Sequence, residues 1–190
     1  MSKIIIDLDH TLLDTTSFKE ALAKSLGLTP VDWDMAYNKF LADYQMFNPT
    51  DFLKGVATAQ KKQFEAVVKK TGSFLYPDSV PFLKKAIQAG HHVVVLTFGN
   101  QDWQTQKLQH IAWPDGVTLL TTDTTKSSQL AQYMEDDTLV VDDNGRELDA
   151  LHRHWSTAKL YWMVRPNGKY RDVEPVSAHS TIHSLNQIKL

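Results

Sequence analysis

The chain has 190 residues, with 20 Lys and Arg against 22 Asp and Glu and no cysteine. That length fits one domain, or one domain with a small insertion, and a core large enough to hold without covalent staples. The near-zero charge argues against a nucleic-acid partner held by broad phosphate electrostatics, and the lack of cysteine removes disulfides, zinc–thiolate sites and a thiol nucleophile.

The first apolar run, Ile4-Ile5-Ile6, ends abruptly in Asp7-Leu8-Asp9. It is too short for a signal peptide, and no window approaches the ~20 apolar residues of a membrane span, so no membrane partner is expected and the expected location is the cytoplasm. Residues 18–26, 34–44 and 58–70 have helical apolar spacing with no buried strand among them. They read as a small helical insertion over 14–75, with joints at Asn48-Pro49 and near Gly55. Trp33, Tyr37, Phe40, Tyr44 and Phe47 recur at helical spacing and are expected to form its core.

Tyr76-Pro77-Asp78 marks the return to the main domain, which then covers 1–13 and 76–190. A helix is expected over 80–89, with Gly90 at its C-terminal cap, and then a strand at Val93-Val94-Val95-Leu96 ending in Thr97. A weaker strand at 117–120 and a helix over 127–134 follow. Leu139-Val140-Val141 ends in Asp142-Asp143, another strand lies at 160–164, and Arg165-Pro166-Asn167-Gly168 reads as a turn. Residues 172–190 carry little pattern. The strands are short, continuous, β-branched runs without alternation, as in strands buried on both faces, and their alternation with helices implies an α/β fold with a parallel sheet and right-handed crossovers.

In such a sheet ligands bind beyond the carboxyl ends of the strands. Asp7, Asp9, Thr97, Asp142 and Asp143 therefore belong at one rim. Four carboxylates there repel one another unless a cation sits among them, and hard oxygen donors without His or Cys point to Mg²⁺. An EF-hand reading of Asp7 onward fails, because Leu12 stands where Gly is required and Phe18 where Glu is required. Neither a phosphate-binding Gly-x-x-x-x-Gly-Lys loop nor a Gly-x-Gly-x-x-Gly turn is present. His152-x-His154 lacks a third ligand and reads as packing or surface, Trp103 as helix packing, and Glu135-Asp136-Asp137 as a solvated helix exit.

Four segments together resemble the haloacid dehalogenase (HAD) superfamily. Ile4 to Asp14, with Asp7-Leu8-Asp9-His10-Thr11, resembles its first motif; Val95 to Asn100, with Thr97, its second; Lys126 before a helix, its third; and Val140 to Leu148, with Asp142-Asp143, its fourth. They occur in the family's order. The resemblance implies a HAD-like modified Rossmann core, with 14–75 as a helical C1-type cap. It implies Asp7 as a nucleophile forming an aspartyl-phosphate, Asp9 as general acid and base, and Lys126 as stabiliser of Asp7 and the transferring phosphoryl group. Thr97 with the backbone at Phe98, and the backbone around Asp9, His10 and Thr11, would hold substrate phosphoryl oxygens. Mg²⁺ would be held by Asp7, the Asp9 carbonyl and one of Asp142 and Asp143, with Asp143 as the expected direct ligand. Glu147 stands where the family often has Asp or Asn. The expected activity is Mg²⁺-dependent hydrolysis of a small phosphorylated metabolite. A phosphotransferase or phosphosugar mutase on the same scaffold, or a non-catalytic metal- or phosphate-binding module, are the alternatives.

Overall fold

The computed structural model describes residues 2–131 and 133–190. Six parallel strands form one sheet in the order β3-β2-β1-β4-β5-β6. At its centre β1 (Lys3–Ile6) lies between β2 (His92–Phe98) and β4 (Leu139–Asp142), with Ile4 in register with both Val93 and Leu139. Outside these lie β3 (Val117–Thr122), β5 (Lys159–Met163) and β6 (Ser180–Ile182). The chain leaves β1 toward β2 and β3, then crosses back to β4. The switch point is therefore the gap between the ends of β1 and β4.

The unbroken apolar runs have a simple cause. Ile4, Ile6, Val93, Val95 and Val141 pack on one face of the sheet, while Ile5, Val94, Leu96 and Val140 pack on the other. Each such fully buried side chain stabilises by about 1.5–3 kcal/mol relative to exposure. The first face meets α1 (Thr15–Ser25), α5 (Ser79–Gln88) and α6 (Gln101–Gln109); the second meets α7 (Lys126–Leu130) and α8 (Gly145–His154).

Residues 14–75 hold α1, α2 (Pro30–Tyr44), α3 (Pro49–Phe52), α4 (Thr58–Val68) and a 3₁₀ turn at Thr71–Phe74. Asp14 caps α1 by accepting from the Ser17 N–H at 3.0 Å, and Thr29 with Asp32 forms a capping box ahead of Pro30 at the start of α2. The two ends of this segment meet. The Asp14 N–H donates to the Phe74 carbonyl at 2.8 Å, and the Tyr76 N–H to the Leu12 carbonyl at 2.9 Å. Within it Trp33, Tyr37, Phe40, Phe47 and Phe52 form one aromatic cluster. Trp103 of α6 joins that cluster to the main domain, with its ring 5.6 Å from Phe47 and stacked 6.0 Å from Phe18.

One expected helix differs from what is found. The helix expected over 127–134 ends at Leu130, where the Tyr133 and Met134 N–H groups both turn back to the Leu130 carbonyl and direct the chain into β4; residue 132 lies outside the described residues. The joint expected at Asn48-Pro49 is present between α2 and α3, with Asn48 as the N-cap of α3. The turn expected at 165–168 is formed, with the Gly168 N–H on the Arg165 carbonyl at 3.0 Å, and Arg165 itself is buried and bonded to Asp78. Among the described residues no helix is long and apolar enough to cross a membrane.

Candidate active site

The Asp7 N–H donates to the Val141 carbonyl at 2.9 Å, which extends the central ladder one residue beyond β1. Asp7 is thereby fixed at the switch point, beside Asp142 at the end of β4 and Asp143 just after it. Lys126, the first residue of α7, reaches in from the neighbouring rim. Its Nζ lies 2.6 Å from Asp7 Oδ1 and 2.6 Å from Asp142 Oδ2. Asp142 spends its other oxygen on the Asn144 N–H at 2.9 Å. Asp143 is oriented from behind, because the Trp162 indole N–H donates to its backbone carbonyl at 2.9 Å, yet its Oδ2 is buried without a hydrogen-bond partner.

Asp7, Asp142 and Asp143 each present an oxygen within 4.8 Å of the others. One lysine does not balance three buried carboxylates. Burial pushes the Asp7 carboxyl up to about 7, with Asp142 and Asp9 adding repulsion against the pull of Lys126. Burial and repulsion from Asp7 and Asp142 push Asp143 up to about 9. Burial alone would discharge Lys126, but the attraction of Asp142 and Asp7 outweighs it and raises its pKa. A divalent cation fits this place: three buried oxygen donors, an excess of negative charge and one orphaned oxygen on Asp143.

The Asp9 side chain stands apart from that group. Lys107 of α6 grips it with bonds of 2.7 and 2.6 Å, and Thr15 at the head of α1 donates to it at 2.9 Å. Burial would raise this carboxyl, but the Lys107 ammonium overrides it and holds Asp9 well below the usual carboxylate range. Thr97 places its hydroxyl 3.4 Å from Asp9 Oδ2 and 3.1 Å from Gln104 Oε1. His10 adopts the left-handed region at φ 61°, and its N–H donates to the Thr15 hydroxyl at 3.0 Å. Burial lowers the His10 imidazole to about 4.

These groups line a cavity of about 310 Å³, floored by Asp7, Asp143 and Lys126 and walled by Phe18, Lys19, Trp33, Tyr37, Phe47 and Trp103. Asp9, His10, Thr97, Phe98, Asp142 and Glu147 also face it. Thr11 does not. The loop after β1 turns back on itself, with the Leu12 and Leu13 N–H groups both on the Leu8 carbonyl, and this carries Thr11 into the interior. There its N–H turns to the Leu8 carbonyl at 3.4 Å and its carbonyl accepts from Arg165 Nη2 at 2.9 Å, so Thr11 is turned away from the cavity that the sequence expected it to face. Lys107, Thr15 and Gln104 were not foreseen. The sequence of α6 carries no apolar stripe, and the burial of Gln104 and Lys107 follows from partners distant in the chain. Thr15 does follow the acidic motif closely, a short-range signal of a helix start at the site.

No family model matches the sequence, and no curated protein is similar enough to match it. Solved structures do match. A dehalogenase solved with its intermediate complex aligns with TM-score 0.69 at 17% identity, over 98% of this chain and 95% of that one. YfnB from Bacillus subtilis, bound to magnesium, aligns with TM-score 0.61 at 13% identity over 98% and 96%. A HAD family hydrolase from Deinococcus radiodurans R1, with bound phosphate and sodium, aligns with TM-score 0.59 at 14% identity over 98% and 93%. At these identities the likeness is one of fold, extending over nearly the whole of both chains. The chain has the fold of the haloacid dehalogenase-like hydrolases.

Proposed function

We propose that the protein is a Mg²⁺-dependent phosphatase of small phosphorylated metabolites, acting through an aspartyl-phosphate on Asp7, with residues 14–75 as a helical C1-type cap. The observation that carries this reading is the setting of Asp7 at the cavity floor. One of its oxygens is held by Lys126 at 2.6 Å, and it stands beside the orphaned oxygen of Asp143. Asp7 attacks phosphorus and Lys126 holds its carboxylate in place while balancing charge on the phosphoryl oxygens. Asp7, the Asp9 carbonyl and Asp143 would hold Mg²⁺, which when bound supplies the positive charge that the three carboxylates lack. Asp142, with both oxygens committed to Lys126 and Asn144, orients Lys126.

The fold is shared with dehalogenases, so the choice of reaction rests on Asp9. A halide departs without a proton, whereas an alkoxide released from a phosphate ester needs one. A second carboxylate beside Thr97, separate from the cation-binding carboxylates, suits the ester: once released from Lys107 and protonated from solvent it gives its proton to the leaving oxygen, and the carboxylate so formed then activates water. The magnesium of YfnB and the phosphate bound to the Deinococcus hydrolase agree with this choice.

The test is inorganic phosphate release from p-nitrophenyl phosphate, with Mg²⁺ or with excess EDTA. Release should require Mg²⁺ and fall by at least about 10³-fold in Asp7→Asn. Release of halide from a 2-haloacid by the same protein, with no phosphatase activity, overturns the reading.

A further inference from the structure

Lys107 and Lys126 each spend their charge on a carboxylate in the cavity, at 2.6 Å from Asp9 and from Asp7. Two other lysines on the same cavity do not. Lys19 lies over the Tyr37 ring, 4.7 Å from its centroid, and Lys169 over the Tyr170 ring at 4.9 Å. Among the described residues neither makes an ion pair. Both also line a second cavity that shares His10, Trp33 and Tyr37 with the first; Glu20 and Asp34 line it too, and Asp7 does not.

Their placement is built into the backbone. Lys19 is one helical turn after Thr15 on α1, so the residue that donates to Asp9 and the residue that presents this ammonium share a helix face. Lys169 sits on the loop after β5, and that loop is fixed at two points. Thr16 of α1 donates from its hydroxyl to the Asn167 carbonyl at 2.9 Å, and Arg165 is bonded to Asp78 and Thr11 inside the protein. The same helix thus presents Lys19 and ties down the loop that carries Lys169. Burial, with repulsion from Lys169 and Lys107, lowers the Lys19 pKa against the pull of Asp9 and Asp34.

We propose that the substrate carries a second anionic group, distal to the reacting phosphate, which Lys19 and Lys169 receive. This rests on the phosphatase reading for the phosphate at Asp7, since that phosphate is balanced by Lys126 and a cation and leaves Lys19 and Lys169 without an ion-pair partner. Aromatic rings at Tyr37 and Tyr170 hold the two ammoniums until the anion arrives. A distal phosphate and a distal carboxylate share this chemistry.

The experiment measures binding of three compounds to Asp7→Asn protein in Mg²⁺ by calorimetry: n-butyl phosphate, its ω-carboxylate and its α,ω-bisphosphate. At least one doubly anionic compound should bind about tenfold or more tightly than n-butyl phosphate. Preference for the carboxylate or for the bisphosphate identifies the distal group. The gain should fall several-fold in Lys19→Gln and in Lys169→Gln and return in Lys19→Arg, with thermal melts confirming that each variant folds. Equal affinity for all three compounds, a gain that survives both glutamine substitutions, or no binding at all overturns the proposal. Hydrolysis of the same compounds by the unsubstituted protein is scored separately. A Lys19-dependent gain in binding with no Mg²⁺-dependent hydrolysis of these compounds or of p-nitrophenyl phosphate upholds the anion subsite and defeats the phosphatase reading.

Discussion

Lys107 holds the carboxylate of Asp9 with two hydrogen bonds, 2.7 and 2.6 Å long, across 98 residues of sequence. Asp9 is therefore ionised at neutral pH and ready as a base; to serve the proposed reaction as an acid it must first leave Lys107 and take up a proton from solvent, which it then passes to the departing alkoxide. In Lys107→Met the carboxyl returns toward its ordinary value and loses its fixed position. Turnover of alkyl phosphates should then fall more than turnover of p-nitrophenyl phosphate, whose leaving group needs no proton, and the acidic limb of the pH profile should move upward. The same variant should be about 3 kcal/mol less stable, since it strands a largely buried charge. A denaturant series and two pH–rate profiles check both outcomes.

A second buried ion pair supports the loop behind the site. Arg165 bonds Asp78 twice, at 3.0 and 2.8 Å, and Asp78 also accepts from the Ser184 hydroxyl and the Leu185 N–H. Burial opposes the charge on Asp78, but Arg165 and Ser184 prevail and its pKa is lowered. A lowered carboxyl stabilises the fold above its unfolded value of 3.8, and that contribution is lost as pH falls toward the folded value. Arg165→Met should therefore cost about 3 kcal/mol at neutral pH, and the deficit relative to the unsubstituted protein should shrink below about pH 4. Urea unfolding at the two pH values measures it.

Gly145 opens α8 directly after Asn144, where the backbone of 173–175 crosses it. A Cβ there would lie 2.2 Å from the Val173 carbonyl oxygen and 2.6 Å from the Pro175 nitrogen, and neither main-chain atom can swing aside. Gly145→Ala should lower stability by about 1–3 kcal/mol and displace the segment next to Asp143, with phosphate release impaired as well. Thermal melts and activity of this variant, set beside Gly55→Ala at a position with open space, separate crowding from the backbone strain of a positive φ.

Cation binding should stabilise the protein in a pH-dependent way. Without a metal, Asp7 near 7 and Asp143 near 9 keep protons that an unfolded chain would release. That stabilisation is present at low pH and is lost as pH rises through these values. One fixed Mg²⁺ concentration should therefore raise Tm more at pH 8 than at pH 6, the increment being roughly 5–10 °C where that concentration is about 100 times the Kd. Asp143→Asn, which removes the orphaned ligand, should abolish the increment.

The strand ends were legible because the fold buries both faces of the sheet. Ile4-Ile5-Ile6 and Leu139-Val140-Val141 stop where the interior stops, and the polar residues that follow meet at the switch point. Lys126 was legible from its place before a helix, although that helix is shorter than its spacing suggested. Lys107 and Arg165 were hidden because nothing local marks a lysine or arginine as buried. Their carboxylate partners, Asp9 and Asp78, lie 98 and 87 residues away. Thr11 lies off the cavity because proximity in sequence to Asp9 does not fix direction: a turn onto the Leu8 carbonyl points its N–H back into the loop.

The central claim is that Asp7 is the nucleophile, and the direct measurement is acid-quenched labelling with a ³²P-phosphate ester during turnover in Mg²⁺. Radiolabel should appear in protein, on the peptide containing Asp7, with the alkali lability of an acyl phosphate, and should be absent from Asp7→Asn. Steady phosphate release with no labelled protein, or undiminished release by Asp7→Asn, would contradict the account.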